Sequence, residues 1–137
     1  MTLIVCVDDA LGMAFCGRRQ SRDRALCEDV IKLAAGKTIR MDPRSAKLFE
    51  GLGGAIAASE DFTRTGGTED LCFVEFEPVG ELAQRADSLI LYRWNRHYPA
   101  DLRFDLSLEN WRLDEVTEFA GTSHEKITRE VYAHEDE

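Results

Sequence analysis

The sequence predicts an α/β domain, with a mostly parallel central sheet flanked by helices and an antiparallel C-terminal hairpin. Three observations carry that prediction. The apolar runs LIVCV (3–7) and LCFVEF (71–76) read as strands covered on both faces. An amphipathic segment over 21–35 lies between the first run and the next short strand, the alternation that builds parallel sheets. Two strand-like segments, 111–119 and 127–133, close the chain as an antiparallel pair.

The elements follow in order. After 3–7 comes a loop over 8–20, with Gly12 and Gly17 as turn residues. A helix follows over 21–35, with Ser21 as N-cap and Gly36 as stop; Ala25, Leu26, Val30 and Leu33 give it an apolar face. TIRM (38–41) is a short strand. Pro43 suits the first turn of a small helix ending near Glu50, capped by Asp42. The glycine-rich stretch 51–70 has room for one short strand around 55–58. A strand over 71–76, a helix over 78–85 and a strand over 88–94 come next. In the last strand, Ile127, Arg129, Val131 and Ala133 share one face.

Length and composition bound the function. The 137 residues suit one domain, 1–137, and 44% hydrophobic with 31% charged residues argues against disorder. Seventeen Lys and Arg against 26 Asp and Glu leave a net charge of −9, which disfavours binding along a nucleic-acid backbone. No apolar run reaches the roughly 18 residues of a membrane helix, and TLIVCV is too short for a signal peptide, so the expected location is the cytoplasm. Cys6, Cys16, Cys27 and Cys72 show no metal-binding spacing and are expected as free thiols, Cys6 and Cys72 in the core. No metal is expected, since Asp8 and Asp9 have no third ligand in view and suit loop capping. The final HEDE reads as a solvated tail.

Three local patterns bear chemistry. Arg18, Arg19, Arg22 and Arg24 cluster, with Gln20, Ser21 and Asp23, around the start of the first predicted helix. A helix N-terminus offers free N–H groups, and arginine adds planar bidentate donors for phosphate or carboxylate. Anion binding and pairing with surface carboxylates are both open for this cluster. Trp94, Asn95, Arg96, His97 and Tyr98 end a central strand, where an aromatic pair with Arg and Asn suits a heterocycle or packs in the core. Ser123, His124, Glu125 and Lys126 join the last two strands; they read as a polar hairpin tip, with His124 a candidate acid or base if the loop folds over the cleft.

The order of elements resembles the dihydrofolate reductase family over most of the chain. LIVCVDDALGMAFCG is similar to that family's first strand and mobile active-site loop, with its V-D-x-x-x-G-M run. LAAGKTIRMDPRSAKLFEG is similar to its L-x-x-G-K-P-V-I-M-G-R-x-T-x-E-S-I-G stretch. RADSLILYRWNRHYPADLRF is similar to its K-A-D-x-L-Y-L-T run, with Asp101 and Phe104 at the family's Asp and Phe. ENWRL and ITREVYAHE resemble its closing hairpin. The resemblance implies a cleft at the carboxyl ends of the parallel strands.

The departures shape the expected function. The family's Gly-Gly pair after the central strand lies against the nicotinamide cofactor; here the strand is expected to continue as Val74, Glu75 and Phe76. Residues 51–59 are too few for the family's strand and loop at the adenosine end of NADPH. Asp42 replaces a glycine of the phosphate turn, and the tryptophan expected near Arg19 is missing. NADPH is therefore disfavoured as a cofactor, and standard dihydrofolate reductase activity is not expected. The expected ligand is small and anionic, nucleotide-like or pterin-like. Arg18, Arg19 and Arg44 would hold its charge, Trp94 and Asn95 would meet its ring, and Gln20, Ser45, Arg96 and Asp101 complete the candidate binding set. Asp23, near the position of the family's acid, would orient or protonate the ligand, with His124 the second candidate catalytic group. The alternatives are a reductase with altered NADPH binding and a non-catalytic protein that docks an acidic partner through the arginines.

Overall fold

The computed structural model describes residues 1–65 and 67–134; the tail expected at 135–137 lies outside the described residues. Its main sheet holds, in spatial order, β5 (Ala55–Ala58), β4 (Thr38–Met41), β6 (Leu71–Val74), β1 (Thr2–Val7), β7 (Ser88–Arg93), β10 (Ile127–His134) and β9 (Trp111–Phe119). The first five are parallel, β10 runs antiparallel to β7, and β9 runs antiparallel to β10. This is the predicted fold class.

β1 is apolar throughout because both of its faces are covered. Successive side chains point to opposite faces of a strand. Leu3, Val5 and Val7 join Val74, Leu89 and Leu91 on one side. Ile4 joins Phe73, Ile90 and the buried face of α1 (Arg24–Ala34) on the other, where Leu26, Cys27, Val30 and Ala34 pack. In β10, Arg129 faces α1 and grips both carboxylate oxygens of Asp29 at 2.8 Å.

The helix begins later than predicted. Asp23, not Ser21, is the N-cap, and it accepts the Leu26 N–H at 3.2 Å. Both residue types cap well; the choice falls on Asp23 because partners from the far end of the chain also bind its carboxylate. At the other end Ala35 takes the left-handed conformation at φ 50°, one residue before the predicted stop. α2 (Pro43–Ala46) continues as a 3₁₀ turn over Lys47–Phe49, and Asp42 caps it as expected by accepting the Arg44 N–H at 2.8 Å. α3 (Gly80–Ala83) is shorter than the predicted 78–85.

Two predictions near the cleft need correction. Residues 8–20 are not only loop: β2 (Gly12–Phe15) and β3 (Arg18–Arg19) form a hairpin, and β8 (Leu102–Arg103) completes a second small sheet. Cys16 and Gly17 turn the hairpin at φ 51° and 72°, the left-handed pair that a two-residue hairpin turn requires. Gly12 is needed for packing, since a Cβ there would lie 2.5 Å from that of Ala100. The strand expected over 71–76 stops at Val74, and residues 75–77 bend away from it. That bend turns Glu75 toward β3.

Candidate functional site

A cleft of about 500 Å³ opens between the β3 hairpin and the α2 segment. Its lining includes Arg18 and Arg19 from β3, Arg22 from the approach to α1, Arg44 from α2, Lys47 from the 3₁₀ turn and Phe76 from the bend. Sequence separates these residues by up to 58 positions; the parallel sheet unites them, because β1 and β4 both deliver their following segments to its carboxyl edge.

Two of the five cations are fixed by carboxylates. Arg19 makes a forked pair with Glu75, Nε to Oε2 and Nη2 to Oε1, each at 3.0 Å. Ser45, fully buried, donates to Glu75 Oε1 at 2.7 Å. Arg44 is held by Asp42, Nε to Oδ1 at 3.0 Å, and its guanidinium carbon stands 4.0 Å from the centre of the Phe76 ring. The hydrogen bond from Arg44 leads the effects that hold the Asp42 carboxyl below its ordinary value. Burial, followed by the charge of Asp42, pushes Glu77 up. Arg18, Arg22 and Lys47 have no carboxylate partner among the described residues. The cleft wall is thus cationic on a protein of net charge −9, and its unpaired cations can take up anionic oxygens without breaking an internal ion pair.

A second group lies beneath α1. Asp23 is 2% exposed and His124 5%. Asp23 Oδ1 accepts the N–H groups of Leu26 and Thr122, at 3.2 and 3.0 Å. Its Oδ2 accepts Ser123 N–H at 2.8 Å and faces His124 Nδ1 at 2.9 Å. Burial alone would raise the Asp23 carboxyl, but the hydrogen bonds from Thr122, His124, Ser123 and Leu26 outweigh it and hold the group below its ordinary value. An ionised Asp23 only accepts, so Nδ1 of His124 carries a proton. His124 Nε2 then faces Tyr98 Oη at 2.8 Å and Ser21 Oγ at 3.1 Å. Trp94 stacks on the imidazole at 4.6 Å between ring centres.

The predicted site residues divide accordingly. Arg18, Arg19 and Arg44 meet in the cleft. Ser45 supports Glu75 from below. Asp23 and His124 are brought together, although 101 residues apart in sequence; the loop carrying His124 is folded onto α1 rather than standing out as a polar tip. The grouping of Trp94, Asn95 and Arg96 with the arginines is corrected: these three line a separate depression with Glu125 and Lys126. Asn95 Nδ2 donates to the Lys126 carbonyl and to Thr128 Oγ1, and Trp94 is buried under His124. Gln20 Nε2 donates to the Pro99 carbonyl. Asp101 accepts the Cys16 N–H. Both serve the loop scaffold.

Glu75, Lys47 and Phe76 were not predicted as site residues. Only the bend after Val74 aims Glu75 and Phe76 at the cleft, and no local pattern encodes that bend. Asp8, as expected for a loop cap, is buried and accepts the N–H groups of Ala10, Gly12 and Tyr98. Among the described residues no three His, Cys, Asp or Glu side chains converge as a metal site. Among them, too, no helix is long and apolar enough to cross a membrane.

The backbone matches that of dihydrofolate reductase from Enterococcus faecalis, a structure determined with NADP(H) and RAB-propyl. The TM-score is 0.66 at 12% identity, covering 98% of this chain and 96% of that one. The chain therefore has a dihydrofolate-reductase-like fold, in a divergent sequence. No protein-family model matches it, and no curated protein does.

Proposed function

We propose that this protein binds a small phosphate-bearing anion in the Arg18, Arg22 and Lys47 cleft and is not a standard dihydrofolate reductase. The observation that carries the reading is the placement of three cations without carboxylate partners around one concave surface of a strongly acidic protein. Arg19 and Arg44, already oriented by Glu75 and Asp42, complete a preorganised wall. Phe76 offers little open ring face, because Arg44 already lies over it. Charge rather than ring stacking is therefore the main source of affinity, and a nucleotide or phosphosugar fits better than a pterin.

The residues present do not fit NADPH in the manner of the fold family. Glu75 occupies the bend after β6 and is bonded to Arg19 and Ser45. Asp42 caps α2, at the position where the resemblance puts a glycine of the family's phosphate turn. Anionic side chains at both places oppose a pyrophosphate-linked cofactor.

A thermal-shift series with inorganic phosphate, ADP, a phosphosugar, folate and NADPH tests the reading. Stabilisation follows RT ln(1 + [L]/Kd). Upward shifts with phosphate-bearing compounds, weakened by added salt, are expected. A response to NADPH alone at micromolar concentration favours the altered reductase instead. No response to any anion overturns the proposal and leaves the arginines to an acidic protein partner.

A further inference from the structure

The anion cleft has a neighbour. A second cavity, of about 250 Å³, lies between the start of α1 and the connection from β9 to β10. Arg22 and Leu48 line both cavities. We propose that the two form one bipartite site and that its ligand is a sugar monophosphate, with the phosphate in the Arg18, Arg22 and Lys47 cleft and the sugar between Leu48 and Ser123. This inference rests on the anion reading above and narrows its ligand to one chemical class.

The wall of the second cavity offers groups that match a sugar. Thr122 Oγ1 accepts the Ala25 N–H at 3.0 Å, and its own proton has no acceptor among the described residues. Ser123 binds Asp23 through its backbone N–H, while its hydroxyl makes no hydrogen bond among the described residues. Thr122 can therefore donate to a ligand hydroxyl, and Ser123 can both donate and accept. Arg22 borders both cavities, and its planar set of five donors can hold a phosphate oxygen and a neighbouring sugar oxygen together. Leu48, at the junction, offers an apolar surface to the C–H groups of the ring.

Two related classes fit less well. A bisphosphate would bring its second charge toward Asp23, which also lines this cavity. Burial would raise the Asp23 carboxyl, but four hydrogen bonds hold it below its ordinary value, so it is ionised and repels a second phosphate. Arg24 offsets little of that repulsion, because Glu28 shares its charge at 3.6 Å. A nucleobase gains most from an open aromatic face. Among the described residues the only ring lining either cavity is Phe76, and the Arg44 guanidinium lies over it at 4.0 Å. A ring of hydroxyls joined to one phosphate meets both restrictions.

Isothermal titration of inorganic phosphate, ribose 5-phosphate and AMP, at one pH and one salt concentration, tests the proposal, because each probe adds one piece to the one before. Ribose 5-phosphate should bind at least about tenfold more tightly than phosphate, the gain expected from a few hydrogen bonds. AMP should bind no more tightly than ribose 5-phosphate. Ser123→Ala should weaken ribose 5-phosphate by about threefold or more and leave phosphate binding unchanged, with circular dichroism showing an intact fold. Because the series is run on the unaltered protein, its result stands even if the variant misfolds. Saturable phosphate binding with no gain from the ribose overturns this inference and leaves the anion cleft standing. No saturable binding of phosphate overturns the anion reading and this inference with it. AMP binding tighter than ribose 5-phosphate by about tenfold or more, or ribose 5-phosphate affinity unaltered in a folded Ser123→Ala protein, would also overturn it.

Discussion

Gly121 lies so close to Asp23 that a Cβ at position 121 would stand 2.6 Å from Asp23 Oδ2, and 2.8 Å from the carbonyl oxygen of His124. Neither neighbour can give way easily. The carboxylate is pinned by three backbone N–H groups, and the carbonyl belongs to the same tight loop. The absence of a side chain at 121 therefore lets the β9–β10 connection close over the start of α1. Gly121→Ala should destabilise the protein by about 1–3 kcal/mol, the usual cost of overpacking. Urea unfolding should show a lower midpoint at an unchanged slope; a midpoint equal to wild type would contradict this account of the loop.

The same carboxylate sets part of the acid stability. Asp23 and Asp8 are both held below their ordinary value of 3.8, in each case because backbone hydrogen bonds outweigh burial. A carboxyl whose folded value is depressed contributes stability that is complete above the unfolded value. That contribution is lost as pH falls through the lower folded value. Stability should therefore drop as pH falls below about 4, and Asp23→Asn should flatten that limb while still capping α1. Urea titrations at a series of pH values measure it; an identical acid limb in the variant would refute the assignment to Asp23.

The Arg19 and Glu75 pair should behave as one unit. Glu75 has a side chain only 9% exposed, so Arg19→Ala leaves a largely buried carboxylate with Ser45 as its remaining side-chain partner. A loss of about 2–3 kcal/mol is expected from that single change. Glu75→Gln in the same chain should restore much of it. A double-mutant cycle from chemical unfolding reads the coupling; additive losses would mean that the fork contributes little.

Thiol reactivity should single out one cysteine. Cys16 is exposed at the hairpin turn, while Cys27 and Cys72 are buried with thiols pushed up to about 12 by burial first and nearby carboxylates second. Cys6 is partly covered and also raised, chiefly by burial. In the native protein one fast equivalent should react with Ellman's reagent, mapped to Cys16, and four should react after denaturation. Fewer than four in the denatured, unreduced protein would reveal a disulfide.

The parts of the fold legible in the sequence are those decided locally or by two-sided burial. β1 announces itself because no solvent-facing residue interrupts it, and Asp42 with Pro43 marks the start of α2. β2 and β3 stay hidden because they are short and owe their extended form to pairing with each other and, for β2, with Leu102 and Arg103. The true cap of α1 is hidden for a related reason. Ser21 and Asp23 are equally good caps, and the decision comes from Thr122, Ser123 and His124, about 100 residues away. The arginines of the cleft could be read from their density, but Glu75 could not, since its orientation depends on where β6 ends. Trp94 and Asn95 read as ligand contacts because strand ends carry sites, yet a neighbouring hairpin already occupies their stacking face and their amide.

The most direct test of the central claim is isothermal titration of inorganic phosphate into the wild type and into the Arg18→Ala, Arg22→Ala, Lys47→Ala triple variant. These three positions are chosen because their removal breaks no internal ion pair, so the fold should persist. Each charge-assisted contact contributes about 1.5–3 kcal/mol when partly buried. The account predicts one saturable site in the wild type and a loss of affinity of at least about tenfold in the triple variant, with an unchanged melting temperature in the absence of anion. Equal binding by both proteins, or no saturable binding by the wild type, would contradict it.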